Sequence, residues 1–126
     1  VVYFVDRSLG RKKVPEALRC AGATVEVHDD HFPNSTPDQI WLKEVGRRGW
    51  IVLTADKRIR YRSLERDALL AAGVQAFVLT SIPGPEMGAI FVAALRRMEA
   101  MCASHGSRPF IAKVSRGPDV KVIVAG

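Results

Sequence analysis

A three-layer α/β/α architecture is the fold class that the 126-residue sequence predicts, with a central parallel sheet of order 2-1-3-4 and C-terminal strands added at its edge. Three features carry that expectation. Strand and helix patterns alternate from the first residues. The strand segments are apolar throughout, as strands covered on both faces must be. A glycine (Gly22, Gly49 or Gly73) closes each of the first three helical patterns shortly before a new strand begins, and glycine past a helix end readily takes the left-handed conformation that stops it.

The first strand is read at 1–5, a short apolar run. Residues 13–21 form the first helical pattern, and 24–28 the next β-branched run. The helix read at 36–48 has the clearest start. Thr36 can cap it, Pro37 fits the first helical position, where its missing N–H costs nothing, and Gln39 completes a capping box. A third strand follows at 50–54. Ser63 caps a helix running to about 72, and 75–79 is the fourth strand. A longer helix is read at 85–103, where Met87, Ile90, Phe91, Ala94, Leu95 and Met98 recur three and four apart and share one buried face. Residues 109–114 and 120–124 read as two strands joined by the turn Arg116–Gly117–Pro118–Asp119, a hairpin for the sheet edge. No repeat, linker or low-complexity segment divides the chain, so one domain over 1–126 is expected.

Hydrophobic residues make up 48% of the chain, enough for a real core without staples. No apolar run approaches the roughly 18–20 residues of a membrane helix, and no secretory leader is read at the start. Cys20 and Cys102 lie far apart in helical patterns, which favours reduced, buried thiols over a disulfide. A cytoplasmic protein without membrane association is expected. The net charge of +6 favours a polyanionic partner such as nucleic acid, although general solubility explains the same charge.

Strand order 2-1-3-4 sets strands 1 and 3 side by side, and the chain leaves them in opposite directions. Ligands bind at such a switch point, beyond the carboxyl ends of the strands. Asp6 directly follows strand 1, and Asp56 follows strand 3. Asp38 lies in the first turn of the helix before strand 3, and Asp29 and Asp30 follow strand 2 toward the same rim. Converging carboxylates repel unless a cation neutralises them. Mg²⁺ or Mn²⁺ suits an oxygen-rich site, and such ions support phosphodiester hydrolysis. Each acid also has a purely structural explanation. Asp38 favours a helix dipole, while Asp6, Asp29, Asp30 and Asp56 suit turns and loop entries. His28 and His31 fit no zinc spacing and read as loop histidines. His105 is placed in a loop with no role. Trp41 and Trp50 read as core residues. Gly84 and Gly88 flank a helix start without a phosphate-loop lysine.

The segments Val2–Tyr3–Phe4–Val5–Asp6, Thr36–Pro37–Asp38 and Ile51–Val52–Leu53–Thr54–Ala55–Asp56–Lys57 together resemble PIN-like domains over about residues 1–80. The resemblance is to the compact subfamily akin to the VapC toxins of toxin–antitoxin pairs. It rests on order and spacing more than on any one motif. It implies a PIN-like fold and Mg²⁺- or Mn²⁺-dependent endoribonuclease activity, with RNA as substrate. It also implies a cognate antitoxin protein as partner, and a homodimer. By position, Asp6, Asp38 and Asp56 match the family's acids, so catalysis and metal binding fall to these three. Thr54 matches the hydroxyl residue two places before the last acid. Ser8 and Asp30 join it as supporting positions. Two departures stand out. The acid of an early helix has no clear counterpart, although Glu16 lies on such a helix, and Arg58 stands where a further acid often follows strand 3. They leave open one metal or two, and an inactive, RNA-binding version of the fold.

Basic residues follow both strand-tip acids. Arg7, Arg11, Lys12 and Lys13 come after Asp6, and Lys57, Arg58, Arg60, Arg62 and Arg66 after Asp56. Arg7, Arg11, Lys12, Lys57, Arg58 and Arg60 are read as the RNA-binding set, with Tyr61 available to stack on a base. Arg96 and Arg97 are read as merely solvated. A rival reading from another class is a receiver-like phosphoacceptor domain, with Asp56 as acceptor assisted by Thr80 and Lys113. The basic charge and the place of the Asp29–Asp30 pair argue against it.

Overall fold

Six strands form one sheet of order β2-β1-β3-β4-β5-β6 in the computed structural model, which describes residues 1–56, 59, 62–80 and 82–125. β1 (Val2–Val5), β2 (Thr24–Val27), β3 (Ile51–Thr54), β4 (Gln75–Leu79) and β5 (Phe110–Val114) are parallel. β6 (Val120–Ala125) pairs antiparallel with β5, so the expected edge hairpin forms. Five α-helices are present among the described residues: α1 (Lys13–Cys20), α2 (His28–His31), α3 (Asp38–Arg48), α4 (Ser63–Ala71) and α5 (Gly84–His105). A 3-10 turn spans Arg7–Leu9.

The alternation of side chains along each strand divides the core into two layers. Tyr3, Val5, Leu53, Phe77, Phe110 and Ala112 face one side, where they meet Val14 and Leu18 of α1 and Phe91, Ala94 and Met98 of α5. Phe4, Val52, Ala76, Val78 and Ile111 face the other, where they meet Trp41, Leu42 and Val45 of α3 and Leu69 of α4. β3 and β4 are buried along their whole length because both faces are covered, whereas the edge strand β6 alternates half-buried and exposed residues. Trp41 is buried and Trp50 packs against the same cluster, as expected of core residues. No helix among the described residues is long and apolar enough to cross a membrane.

Several boundaries differ from the sequence reading. α3 begins at Asp38, and Pro37 itself holds the cap position (φ −58°, ψ 144°) with no side-chain cap, so the capping box from Thr36 to Gln39 does not form. The Pro37 carbonyl accepts the N–H groups of Ile40 and Trp41 at 3.0 and 3.4 Å, while a residue before proline is kept out of helical geometry. Ser63 is likewise the first residue of α4 rather than its cap. His28 leaves the strand to open α2 and is buried. His105 closes α5 instead of lying in a loop, with its Nδ1 at 2.9 Å from the Met101 carbonyl. Both cysteines are free, but Cys20 is exposed and only Cys102 is buried. Burial pushes the Cys102 thiol up to about 11, so it stays protonated at neutral pH. Arg97 donates to the Pro118 carbonyl at 3.1 Å, which ties α5 to the β5–β6 turn rather than leaving this arginine merely solvated.

α3 and α4 touch at one tight point. A Cβ placed on Gly46 would lie 2.0 Å from the carbonyl oxygen of Ala72, a backbone atom with no freedom to rotate away. Glycine alone allows the close approach. Gly46→Ala is expected to cost about 3 kcal/mol through overpacking, measured by denaturant unfolding. Unchanged stability would show that the two helices are not held at this contact.

Candidate active site

The carboxyl ends of β1 and β3 are joined by backbone and side-chain hydrogen bonds. The Asp6 N–H donates to the Leu53 carbonyl at 3.0 Å and so continues the β1–β3 pairing beyond the strand. Thr54, fully buried, donates from Oγ1 to Asp6 Oδ2 at 2.7 Å. Ser8 donates to the same oxygen at 3.1 Å. The two hydroxyls in turn accept from the loop after β3: Asp56 N–H bonds Thr54 Oγ1 at 3.0 Å, and Ala55 N–H bonds Ser8 Oγ at 2.9 Å. Asp6 is 9% exposed. Its carboxylate is thus fixed through Oδ2 by two hydroxyls, each of which accepts one backbone N–H.

A cavity of about 500 Å³ opens at this edge. Four acids line it, each from a different segment: Asp6 after β1, Asp38 opening α3, Asp56 after β3, and Glu65 in the first turn of α4. Their convergence follows from topology. In a parallel α/β sheet the helix N-termini lie at the edge where the strands end. Trp41 also lines the cavity, and its Nε1 donates to Asp38 Oδ1 at 3.0 Å. The Trp41 ring packs on Phe4 of β1 with centroids 5.4 Å apart. The core therefore anchors Asp38.

Glu65 is the residue that sequence reasoning missed. The available signal was an acid in the first turn of the helix after β3, at the same sheet edge as the strand tips. Its Oε2 is buried and has no hydrogen-bond partner among the described residues. Also among the described residues, no three His, Cys, Asp or Glu side chains stand close enough to ligate one ion together. The acids line the wall of the cavity rather than meeting at a point.

The other candidates divide. Thr54 and Ser8 sit against Asp6, as described. Asp30 is exposed on α2 and does not line the cavity. Asp29 is engaged by His28 Nδ1 at 3.2 Å and by Arg11 Nε at 3.6 Å. Glu16 is exposed on α1, away from the cavity lining. Arg7 is exposed and lines the cavity. Arg11, Lys12 and Lys13 line a second cavity of about 550 Å³ that also borders Gly84 and Pro85 at the start of α5. Lys57, Arg58, Arg60 and Tyr61 lie outside the described residues. Arg66 donates to the Ile59 carbonyl at 3.1 Å.

Residues 1–81 match the family described as PIN like domain. The chain belongs to the PIN-like family. It is also similar to a protein of Mycobacterium tuberculosis (strain ATCC 25618 / H37Rv) named "Putative ribonuclease VapC45". The two are 31% identical over 126 aligned residues, which cover 95% of this chain and 90% of the relative. No solved structure matches the chain. Family membership displaces the receiver reading, which the strand order alone leaves open. The match spans Asp6, Asp38, Asp56 and Glu65, while α5, β5 and β6 lie wholly beyond it.

The hydroxyl bridge between the strand tips of this PIN-like chain has a direct thermodynamic test. Thr54→Val keeps the side-chain shape but leaves a buried carboxylate oxygen and the Asp56 N–H each short of a partner. The expected loss is about 2 to 3 kcal/mol by chemical denaturation. Thr54→Ser keeps the hydroxyl and is expected to lose about 1 kcal/mol, the worth of one buried methyl. Equal losses in both variants would mean that packing, not the hydrogen bond, holds the site.

Proposed function

We propose that this PIN-like chain is a Mg²⁺- or Mn²⁺-dependent endoribonuclease and the toxin of a toxin–antitoxin pair. Residues 1–126 are read as one domain acting in the cytoplasm on RNA. Its further partners are a cognate antitoxin protein and, in a homodimer, a second copy of itself. The observation that carries the reading is the cavity at the carboxyl edge of the sheet, lined by acids from separate segments. Similarity to a protein named as a ribonuclease supports the same chemistry.

The donor set fits a hard cation. The acids that line the cavity offer only oxygen ligands, and no histidine or cysteine stands among the described residues that line it, which favours Mg²⁺ or Mn²⁺ over zinc. Mg²⁺ keeps several of its waters and binds through one or two carboxylates. Acids spread along a wall, rather than meeting at a point, suit that habit. Of Asp6, Asp38 and Asp56, one or two would hold the ion directly and the rest through its waters. A divalent ion supplies the charge that activates the attacking water and steadies the departing oxygen of a phosphodiester.

The chain's own residues do the rest. Thr54 and Ser8 keep the Asp6 carboxylate in one orientation. Trp41 does the same for Asp38. Arg7, exposed at the cavity, offers a guanidinium to a backbone phosphate. Arg11 and Lys12, beside the second cavity, extend the cationic surface along which a strand of RNA can lie. In this reading Lys57, Arg58 and Arg60, which follow Asp56 in the sequence, also bind RNA.

The test is cleavage of total RNA by the purified protein with Mg²⁺, Mn²⁺ or a chelator. Cleavage is expected with either ion and none with chelator. Asp6→Asn and Asp56→Asn are expected to reduce it at least about 100-fold while RNA binding persists. Mutants that cut as well as the parent would remove the site assignment. RNA binding by the parent without cleavage under any divalent ion would instead mark an inactive binding module.

A further inference from the structure

We infer, on the nuclease reading above, that His28 is a positioning residue of the site. Its buried ring steadies Trp41, and with it Asp38, while its Nδ1–H steadies Asp29, and with it Arg11. The residue stands where β2 ends and α2 begins. It brings the edge strand β2 into a site otherwise built on β1, β3, α3 and α4.

Packing alone does not account for a histidine here. His28 is 1% exposed and lies in an aromatic cluster, its ring centroid 6.0 Å from Phe4, 5.6 Å from Phe32 and 5.5 Å from Trp41. Its Nε2 is buried with no hydrogen-bond partner among the described residues. A buried polar atom without a partner is costly, and phenylalanine would fill the same space without that cost. What phenylalanine lacks is the other nitrogen. Nδ1 lies 3.2 Å from Asp29 Oδ1. A carboxylate only accepts, so Nδ1 carries the hydrogen and donates. Asp29 Oδ2 then faces Arg11 Nε at 3.6 Å, and Arg11 borders the second cavity. Asparagine would supply such a donor but no ring. The ring of His28 stands at 87° to that of Trp41, which also packs on Phe4 at 5.4 Å. Held by two rings, the indole keeps its N–H aimed at Asp38 Oδ1, 3.0 Å away. Histidine joins a flat ring to a donor, and here each half reaches a residue that leads to the proposed site.

Two substitutions separate the halves. His28→Phe keeps a ring against Trp41 and removes the donor, whereas His28→Asn keeps a donor near Asp29 and removes the ring. Each is made in the parent, in Trp41→Phe, which lacks the N–H to Asp38, and in Arg11→Gln. RNA cleavage with Mn²⁺ gives kcat and KM, and thermal melting gives stability. His28→Phe is expected to melt at or above the parent's temperature, because the unpaired nitrogen is gone. It is also expected to raise KM about threefold, part of the worth of a charged hydrogen bond to phosphate, with kcat little changed. His28→Asn is expected to lower kcat about tenfold, the scale of loss when an outer partner of a metal ligand is removed. In Trp41→Phe, His28→Asn is expected to lower kcat no further. In Arg11→Gln, His28→Phe is expected to raise KM no further, since residues that act through one another are not additive. A parent-like KM in His28→Phe would overturn the hold on Arg11, and a parent-like kcat in His28→Asn the hold on Trp41. Losses that add fully to those of Trp41→Phe and Arg11→Gln would overturn both, as the mark of a purely structural residue. His28→Phe, which keeps the core filled, decides alone if His28→Asn does not fold. Each of these outcomes leaves the nuclease reading standing while the parent cleaves RNA and Asp6→Asn does not. A parent that cleaves no RNA with any divalent ion would overturn that reading and the role of His28 with it.

Discussion

Side-by-side pairing of β1 with β3 is the constraint on which the cavity depends. The two strands lie far apart in sequence, yet Tyr3, Phe4 and Val5 stand in register with Ile51, Val52 and Leu53. The pairing outlasts the strands. The Asp6 N–H continues it to Leu53, and the Thr54 hydroxyl then bonds the Asp6 carboxylate. An acid from the start of the chain and the loop that carries Asp56 thereby become one rigid unit. Any change that let β1 slip against β3 would turn Asp6 toward the opposite face, because side chains alternate along a strand.

α3 and α4 cover the same face of the sheet and bring their N-termini to the same edge. Their first turns deliver Asp38 and Glu65. The positive ends of both helix dipoles therefore face a cavity lined with carboxylates. That arrangement moderates repulsion in the resting protein and also favours an approaching phosphate. Gly46 sets the distance between the two helices by letting α3 rest against the Ala72 carbonyl. The spacing of the cavity walls is thus fixed by backbone contact at the far ends of both helices.

Much of this was legible in the sequence, for identifiable reasons. Apolar runs and closing glycines located the strands, and their order predicted the adjacency of β1 and β3. Asp6 and Asp56 could be found because they sit immediately beyond strand ends, where topology constrains position. Asp38 could be found because it opens a helix leading into β3. Glu65 was not, because it lies on the return path from the sheet and its burial depends on how α4 packs against α3. The Thr54–Asp6 bond was visible only as spacing, since a hydrogen bond between remote residues needs the register to be known. The Thr36 capping box failed because proline can itself occupy the cap position, a choice that local pattern does not decide. The burial of His28 depends on α2, a helix too short to leave a periodic signal.

Trp41 has a double allegiance. Its ring is part of the aromatic packing beneath the sheet, against Phe4 and His28, while its indole N–H holds Asp38 at the cavity. Interior order and the charge geometry of the pocket therefore share one side chain and cannot vary independently. Whatever shifts that ring, a cavity-forming substitution beneath the sheet included, also shifts the donor that orients a carboxylate at the rim.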